Sequence, residues 1–199
     1  MHEIYSLNPE QLEQRLRELT ASMTWPSAER AIEMAQQAHE GQIRRGSKLP
    51  YIVHPIRVAL LLLEVAEQSN AAVICAAILH DVLEDSNIPE DEIEDIFGSQ
   101  VLDMVVALTH PQNKDGESNF ERNKRMFENM RWADRDVQII KSADRLDNLT
   151  TAHEAMGKDR LQEYLFESRE MLLPLTLASN TALYHALNAA IQKVEAANY

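Results

Sequence analysis

Apolar residues recur along this chain at three- and four-residue spacings almost throughout, whereas two-residue alternation bounded by turn signals is nearly absent. The pattern predicts an all-α protein, a single compact bundle of about eight to ten helices. Asn8-Pro9 reads as a cap followed by a first-turn proline, and Leu12, Leu16 and Leu19 mark the inner face of a helix over 9–21. Trp25-Pro26-Ser27 ends that helix and opens a second, with Ala31, Met34, Ala35 and Ala38 inward and Gly41 at its close. A polar stretch, 42–53, leads into His54-Pro55, where Pro55 suits the first turn of a helix reaching about Gln68. Asn70 caps the next, 71–83, which is apolar nearly all round and so belongs at the centre. A short acidic helix over 89–97 closes at Gly98, and another runs from there to about His110-Pro111. After the polar loop 111–119 come an amphipathic helix to about Trp132, then one from about Asp134 to about residue 153 with Val137, Ile139, Ile140, Ala143 and Leu146 inward. Two more helices follow Gly157, with Pro174 kinking or separating one of them.

Composition narrows what such a bundle can do. The 199 residues suit one domain, 1–199, and no linker, repeat or low-complexity segment divides them. The net charge of −13 repels a phosphate backbone, so a nucleic-acid polymer is not the expected partner. A single cysteine, Cys75, permits no internal disulfide, and charged residues scattered through the first twenty positions leave no signal-peptide core, so a cytoplasmic location is expected. The longest apolar runs, 58–63 and 71–79, fall far short of the ~20 residues needed to span a membrane.

Candidate chemistry begins at His80-Asp81. Ionisable side chains at the end of the most apolar helix are costly to bury unless they bind a metal or each other. His54 opens the preceding helix, and antiparallel packing of the two through the turn at Ser69-Asn70 brings it to the same end. Asp144, on an otherwise apolar stretch, is a fourth candidate ligand. Two imidazoles and two carboxylates suit one divalent ion of the Mn, Fe or Zn type better than Mg or Ca. If the helix continues, Glu84 and Asp85 each sit one turn beyond a ligand, placed to orient an attacking water and move its proton. Between His39 and Leu60 the cations Arg44, Arg45, Lys48 and Arg57 face a single acid, Glu40, so this segment is basic inside an acidic protein. Asn148 lies one turn from Asp144 and Thr151 about one turn further. Lys141 and Arg145 flank Asp144 and are expected to fix its carboxylate or neighbouring acids, and His39 to brace its helix beside the basic loop. No hydroxyl or thiol is arranged for nucleophilic catalysis, and no glycine-rich phosphate loop is present.

Several words of the sequence occur together in a recognisable order. They are His39-Glu40-Gly41-Gln42-Ile43-Arg44-Arg45, Pro50-Tyr51-Ile52-Val53-His54-Pro55, Ala77-Ile78-Leu79-His80-Asp81-Val82-Leu83-Glu84-Asp85, Phe97-Gly98 and Lys141-Ser142-Ala143-Asp144-Arg145-Leu146-Asp147-Asn148-Leu149. Over about 27–180 the chain resembles the HD-domain hydrolases of the RelA/SpoT family, with 1–25 as an N-terminal helical extension. The resemblance implies an HD-domain bundle holding one metal ion, usually Mn²⁺, on His54, His80, Asp81 and Asp144, with Glu84 and Asp85 catalytic. It also implies hydrolysis of the 3′-pyrophosphate of guanosine tetra- and pentaphosphate, giving pyrophosphate and GDP or GTP. Arg44 and Arg45 resemble the family pair that flanks the base and contacts phosphate, with Lys48 in the same basic pocket. Asn148 matches the family residue beside the nucleoside, Thr151 extends that pocket, and Arg160 and Tyr164 look like the cation and aromatic with which the short hydrolases reach the phosphates.

The long family members carry synthetase and regulatory domains as well, for which 199 residues leave no room, so a small hydrolase-only type is expected. The sequence departs from the family at Ser86-Asn87, at Ser142 where Leu is common, and at Asp147 where an aromatic or His is common. The extra carboxylate at Asp147 and the short loop between Arg45 and Tyr51 bear on the base, so adenosine 3′-pyrophosphates, NADPH or a nucleoside monophosphate are the rival substrates. A catalytically silent nucleotide-sensing or partner-binding module is the rival of another class, against which the intact Glu84-Asp85 pair counts. The helix before Trp25 and the one over 183–194 offer faces for a homo-oligomer.

Overall fold

The structure is a computed structural model that describes residues 2–198, the side chains of His153 and Asn198 excepted. Among the described residues there is no strand, only an isolated antiparallel bridge between Ile43 and Pro50, and ten α-helices of eight or more residues. The contacts divide the chain into two compact units, Met1–Thr109 and His110–Tyr199.

The first unit opens with a single 3₁₀ turn, Glu3–Ser6, followed by α1 (Pro9–Thr20), α2 (Ala28–Ala38), α3 (Val53–Glu64), α4 (Ala71–Leu79), the one-turn α5 (Val82–Asp85), α6 (Glu90–Phe97) and α7 (Ser99–Leu108). Local chemistry accounts for the starts. Asn8 forms a reciprocal capping box with Gln11 ahead of Pro9, Ser27 accepts from the Arg30 amide, and Asn70 accepts from Ala72. As its all-round apolar sequence predicts, α4 is central: it packs against α2, α3 and α7, and residues 72–79 are all buried. Gly98 joins α6 to α7 at φ 86°, and a Cβ there would come within 3.1 Å of the Trp25 ring. Both the positive φ and the close approach therefore require glycine.

The second unit contains α8 (Asn119–Met130), α9 (Arg135–Leu149), the one-turn α10 (Ala152–Ala155), α11 (Lys158–Phe166), a π-helical segment Glu167–Leu172, α12 (Leu173–Ser179) and α13 (Thr181–Asn198). Ser118 and Glu121 form its capping box, and α9 packs against α12 and α13. Pro174 falls in the first turn of α12, directly after the widened π segment. The wider turns precede a residue that has no N–H to give and whose ring crowds the preceding turn. The break expected near Pro174 is thus a change of helical pitch, and the chain only leaves helical geometry at Asn180, φ −155°.

Several boundaries differ from the sequence pattern: α9 stops at Leu149 rather than about 153, with α10 a separate turn, and three α-helices rather than two follow Gly157. The α3 helix begins at Val53 and stops at Glu64, and α4 ends at Leu79 with His80 and Asp81 in a turn before α5. No helix among the described residues is long and apolar enough to cross a membrane.

Candidate metal centre

Three of the four expected ligands meet in the first unit. His54 sits in the first turn of α3, where its amide donates to the Tyr51 carbonyl at 2.8 Å. His80 and Asp81 form the turn that follows α4. The Oδ2 atom of Asp81 lies 3.1 Å from His80 Nε2 and 3.6 Å from His54 Nε2. Both imidazoles are buried, their rings edge to face with centroids 5.1 Å apart. One donor atom from each of the three residues falls within 4.8 Å of the others.

The protonation pattern suits a cation. His80 Nδ1 is 2.8 Å from the Ala77 carbonyl, which can only accept, so Nδ1 carries a proton and Nε2 is the ring nitrogen turned toward His54 and Asp81. Two nitrogen donors and one carboxylate converging in a buried space fit a divalent transition ion. This cluster is able to hold such an ion.

The acidic pair follows at once. The turn at His80-Asp81 restarts the helix, so the amides of Glu84 and Asp85 both donate to the Asp81 carbonyl, at 3.1 and 3.0 Å. Asp85 therefore keeps its position one turn beyond Asp81. Glu84 is counted from Asp81 as well, rather than from His80 as an unbroken helix would have it. Both carboxylates are on the surface. Partial burial, together with the charges of Asp81 and Glu84, raises the Asp85 carboxyl above its ordinary 3.8, while His39 pulls the other way.

A brace not foreseen in detail runs behind these groups. The His39 ring is wholly buried against Tyr51, centroids 4.6 Å apart. Its Nδ1 meets Gln42 Oε1 at 3.0 Å, and the Gln42 amide donates to the Asp85 carbonyl at 3.2 Å. Burial holds the His39 imidazole below its ordinary 6.5. The Tyr51 hydroxyl donates to Asp81 Oδ2 at 2.6 Å. His39 was expected to brace its helix; that Tyr51 reaches the Asp81 carboxylate had no sequence signal beyond its place two residues before Val53.

Of the basic loop, Arg44 is buried, whereas Arg45 and Lys48 are exposed. The Arg44 amide donates to the Leu49 carbonyl at 2.9 Å, which folds the loop back on itself.

The remaining expected residues are on the second unit. Asp144 is buried, with Lys141 Nζ 2.9 Å from Oδ2 and the Asn148 amide donating to Oδ1 at 2.5 Å. Lys141 thus fixes the Asp144 carboxylate as expected, and Asn148 shares that task. Thr151 is half-buried at the start of α10. Arg160 bonds to Glu163 and Glu167, at 3.1 and 2.9 Å. Tyr164 is buried beneath the Arg145 guanidinium, 3.7 Å from the ring centroid, and burial raises its phenol above the ordinary 10.0. Arg145 pairs with the fully buried Glu167, 3.4 Å, which also accepts from Asn123 at 3.0 Å. Glu167 carried no sequence signal. Ser142, the departure from a common Leu, is accommodated by a 2.7 Å hydroxyl contact with Thr176, and Asp147 is fully buried.

With this geometry in view, the comparisons with known proteins are informative. The family model of the HD domain matches residues 31–175. The chain belongs to the HD-domain family. Within it, the similarities are to RelA/SpoT-type hydrolases. It is 33% identical over 146 residues to the guanosine-3′,5′-bis(diphosphate) 3′-pyrophosphohydrolase of Borreliella burgdorferi, covering 68% of this chain and 21% of the relative. It is likewise 33% identical over 147 residues to the protein of that name from Aquifex aeolicus, covering 74% of this chain and 20% of that one. The chain therefore spans about a fifth of the length of these curated relatives. Among solved structures it is similar, at 26% identity and a TM-score of 0.73, to one described as a metazoan ortholog of SpoT that hydrolyzes ppGpp and plays a role in starvation responses. That match covers 83% of this chain and 94% of the other.

Proposed function

We propose that this protein is a metal-dependent alarmone hydrolase, which cleaves the 3′-pyrophosphate from guanosine tetra- or pentaphosphate. The observation that carries the proposal is the convergence of His54, His80 and Asp81 on one buried point, with the Glu84-Asp85 pair on the next turn. The family match over 31–175 and the named activity of the relatives support it. In this reading His54, His80 and Asp81 hold the ion, Asp144 is the fourth ligand on the strength of the sequence pattern, and residues 1–199 act as one HD-type domain.

When bound, a divalent ion of the Mn²⁺ type polarises the phosphoryl group and makes water a stronger acid. Glu84 and Asp85 orient the attacking water, and one of them accepts its proton. The new bond joins the water oxygen to the phosphorus attached to the ribose 3′ oxygen; the bond from phosphorus to that oxygen breaks, and the 3′ oxygen takes a proton. Pyrophosphate and GDP or GTP result. Arg44, Arg45 and Lys48 receive base and phosphates, while Asn148, Thr151, Arg160 and Tyr164 belong to the substrate side. The natural setting of such a reaction is the cytoplasm, with a small nucleotide as partner and no polymer or membrane.

A nucleotide panel assayed with Mn²⁺ tests the reading: guanosine and adenosine 3′-pyrophosphates, NADPH and nucleoside monophosphates. Release of pyrophosphate from the guanosine compounds is expected, and failure to turn over any 3′-phosphorylated nucleotide would overturn the proposal.

A further inference from the structure

The basic loop and the metal cluster share a joint. The Gln42 carbonyl accepts from the Tyr51 amide at 2.9 Å, the Ile43–Pro50 bridge follows, and the Arg44 amide reaches the Leu49 carbonyl at 2.9 Å. Gln42 and Tyr51 are thus paired residues at the base of the loop that carries Arg44, Arg45 and Lys48. From this base two side chains turn toward the acidic turn. Tyr51 Oη donates to Asp81 Oδ2 at 2.6 Å, and Gln42 Nε2 donates to the backbone carbonyl of Asp85 at 3.2 Å. The Oδ2 atom that Tyr51 holds is the one that faces both imidazoles, 3.1 and 3.6 Å away.

We propose that Tyr51 is a positioning residue of the metal centre, its hydroxyl fixing the rotation of the Asp81 carboxylate so that Oδ2 stays directed between His54 and His80. The inference rests on the reading of this cluster as a metal site. A carboxylate on a short side chain turns about its last bond at little cost, and a donor at 2.6 Å in a charge-assisted bond removes that freedom before the ion arrives. The ring is itself held, stacked on buried His39 at 4.6 Å and edge-on to His54 at 5.7 Å. Because these ring contacts do not involve the hydroxyl, Tyr51→Phe removes the orienting bond and keeps the packing. The same residue anchors the base of the basic loop, so the loop and the ligand are positioned from one place.

The test is a Mn²⁺ titration of chelator-stripped protein by calorimetry, on wild type, Tyr51→Phe and Gln42→Ala, with thermal unfolding of each metal-free protein alongside. Tyr51→Phe is expected to weaken Mn²⁺ binding by about tenfold or more, with its metal-free unfolding transition where the wild type has it. Gln42→Ala removes the neighbouring side-chain tie from the loop base to the Asp85 carbonyl and to His39 without touching a ligand, and its Mn²⁺ affinity is expected to match wild type. Equal affinity in Tyr51→Phe and wild type overturns the inference and leaves the metal site standing. So does an equal loss in Gln42→Ala, or a loss in Tyr51→Phe accompanied by a fallen metal-free transition, since either makes the role one of loop or fold integrity. Absence of divalent-ion binding by the wild type overturns the metal-site reading and this inference with it.

Discussion

At the residue scale the decisive question is which carboxylates bind and which react. Asp81 is tied to Tyr51 and faces two imidazole nitrogens, a ligand's surroundings. Glu84 is on the surface one turn later and is the proposed reacting carboxylate. Replacing Glu84 by Gln keeps the shape and one acceptor oxygen but removes the ability to accept a proton. Glu84→Gln is therefore expected to retain its metal, measured by elemental analysis, while turnover falls by about 10²–10⁴-fold. A variant that remains active would take the catalytic role away from Glu84. The residue types and their order were readable in the sequence, because His and Asp beside a run of Ala, Ile and Leu have few inexpensive explanations. The tautomer of His80 was not, since it depends on a carbonyl three residues back that only the folded turn brings to 2.8 Å.

At the scale of elements, the helices were legible wherever capping chemistry was local, as at Asn8-Pro9, Ser27 and Asn70. Their ends were less so. The continuous apolar pattern through 71–83 gave no reason to stop at Leu79, because a turn at His80-Asp81 is stabilised by what these side chains meet and not by their intrinsic preference. Glu167 was invisible for the same reason, as its partners Asn123, Arg145 and Arg160 come from three helices. It is fully buried, and removing its charge takes the carboxylate from the buried Arg145 guanidinium, whose bonds to the Tyr164 carbonyl and Ser168 hydroxyl are to neutral groups. Glu167→Ala is expected to cost about 3–5 kcal/mol in urea unfolding, whereas a cost near zero would show the cluster to be dispensable. The loop ahead of α8 makes a prediction about pH. Arg125, bonded to Glu117 at 2.7 Å, and the Lys114 amide hold the Glu117 carboxyl down to about 2 from its ordinary 4.5. Its contribution to stability is complete above pH 4.5 and is lost as pH falls through about 2. Carboxyl NMR should place the midpoint near 2 and, in Arg125→Ala, move it back toward 4.5.

At the scale of the whole molecule, metal and fold are linked. Any ion that binds the folded cluster and not the unfolded chain adds stability by mass action, about 2.7 kcal/mol at a hundredfold excess over its dissociation constant. Thermal unfolding is expected to shift upward with added Mn²⁺ and to return on chelation; a transition indifferent to both would speak against a metal on these residues. The net charge of −13 looks ill matched to a polyanionic nucleotide until its distribution is considered. Arg44, Arg45 and Lys48 are concentrated on one loop, while the acids crowd α6, five of whose eight residues are Asp or Glu. By itself the sequence determined the helical class, several helix starts, the residue types of the candidate cluster and the family words, because those depend on periodicity, on capping within a few residues, and on the cost of burying charge. Tertiary structure alone decided that three donors separated by up to twenty-seven positions share one point, that the Tyr51 hydroxyl bonds to one of them, and that Glu167 is buried among cations. Each of those depends on how distant segments pack, which no local pattern encodes.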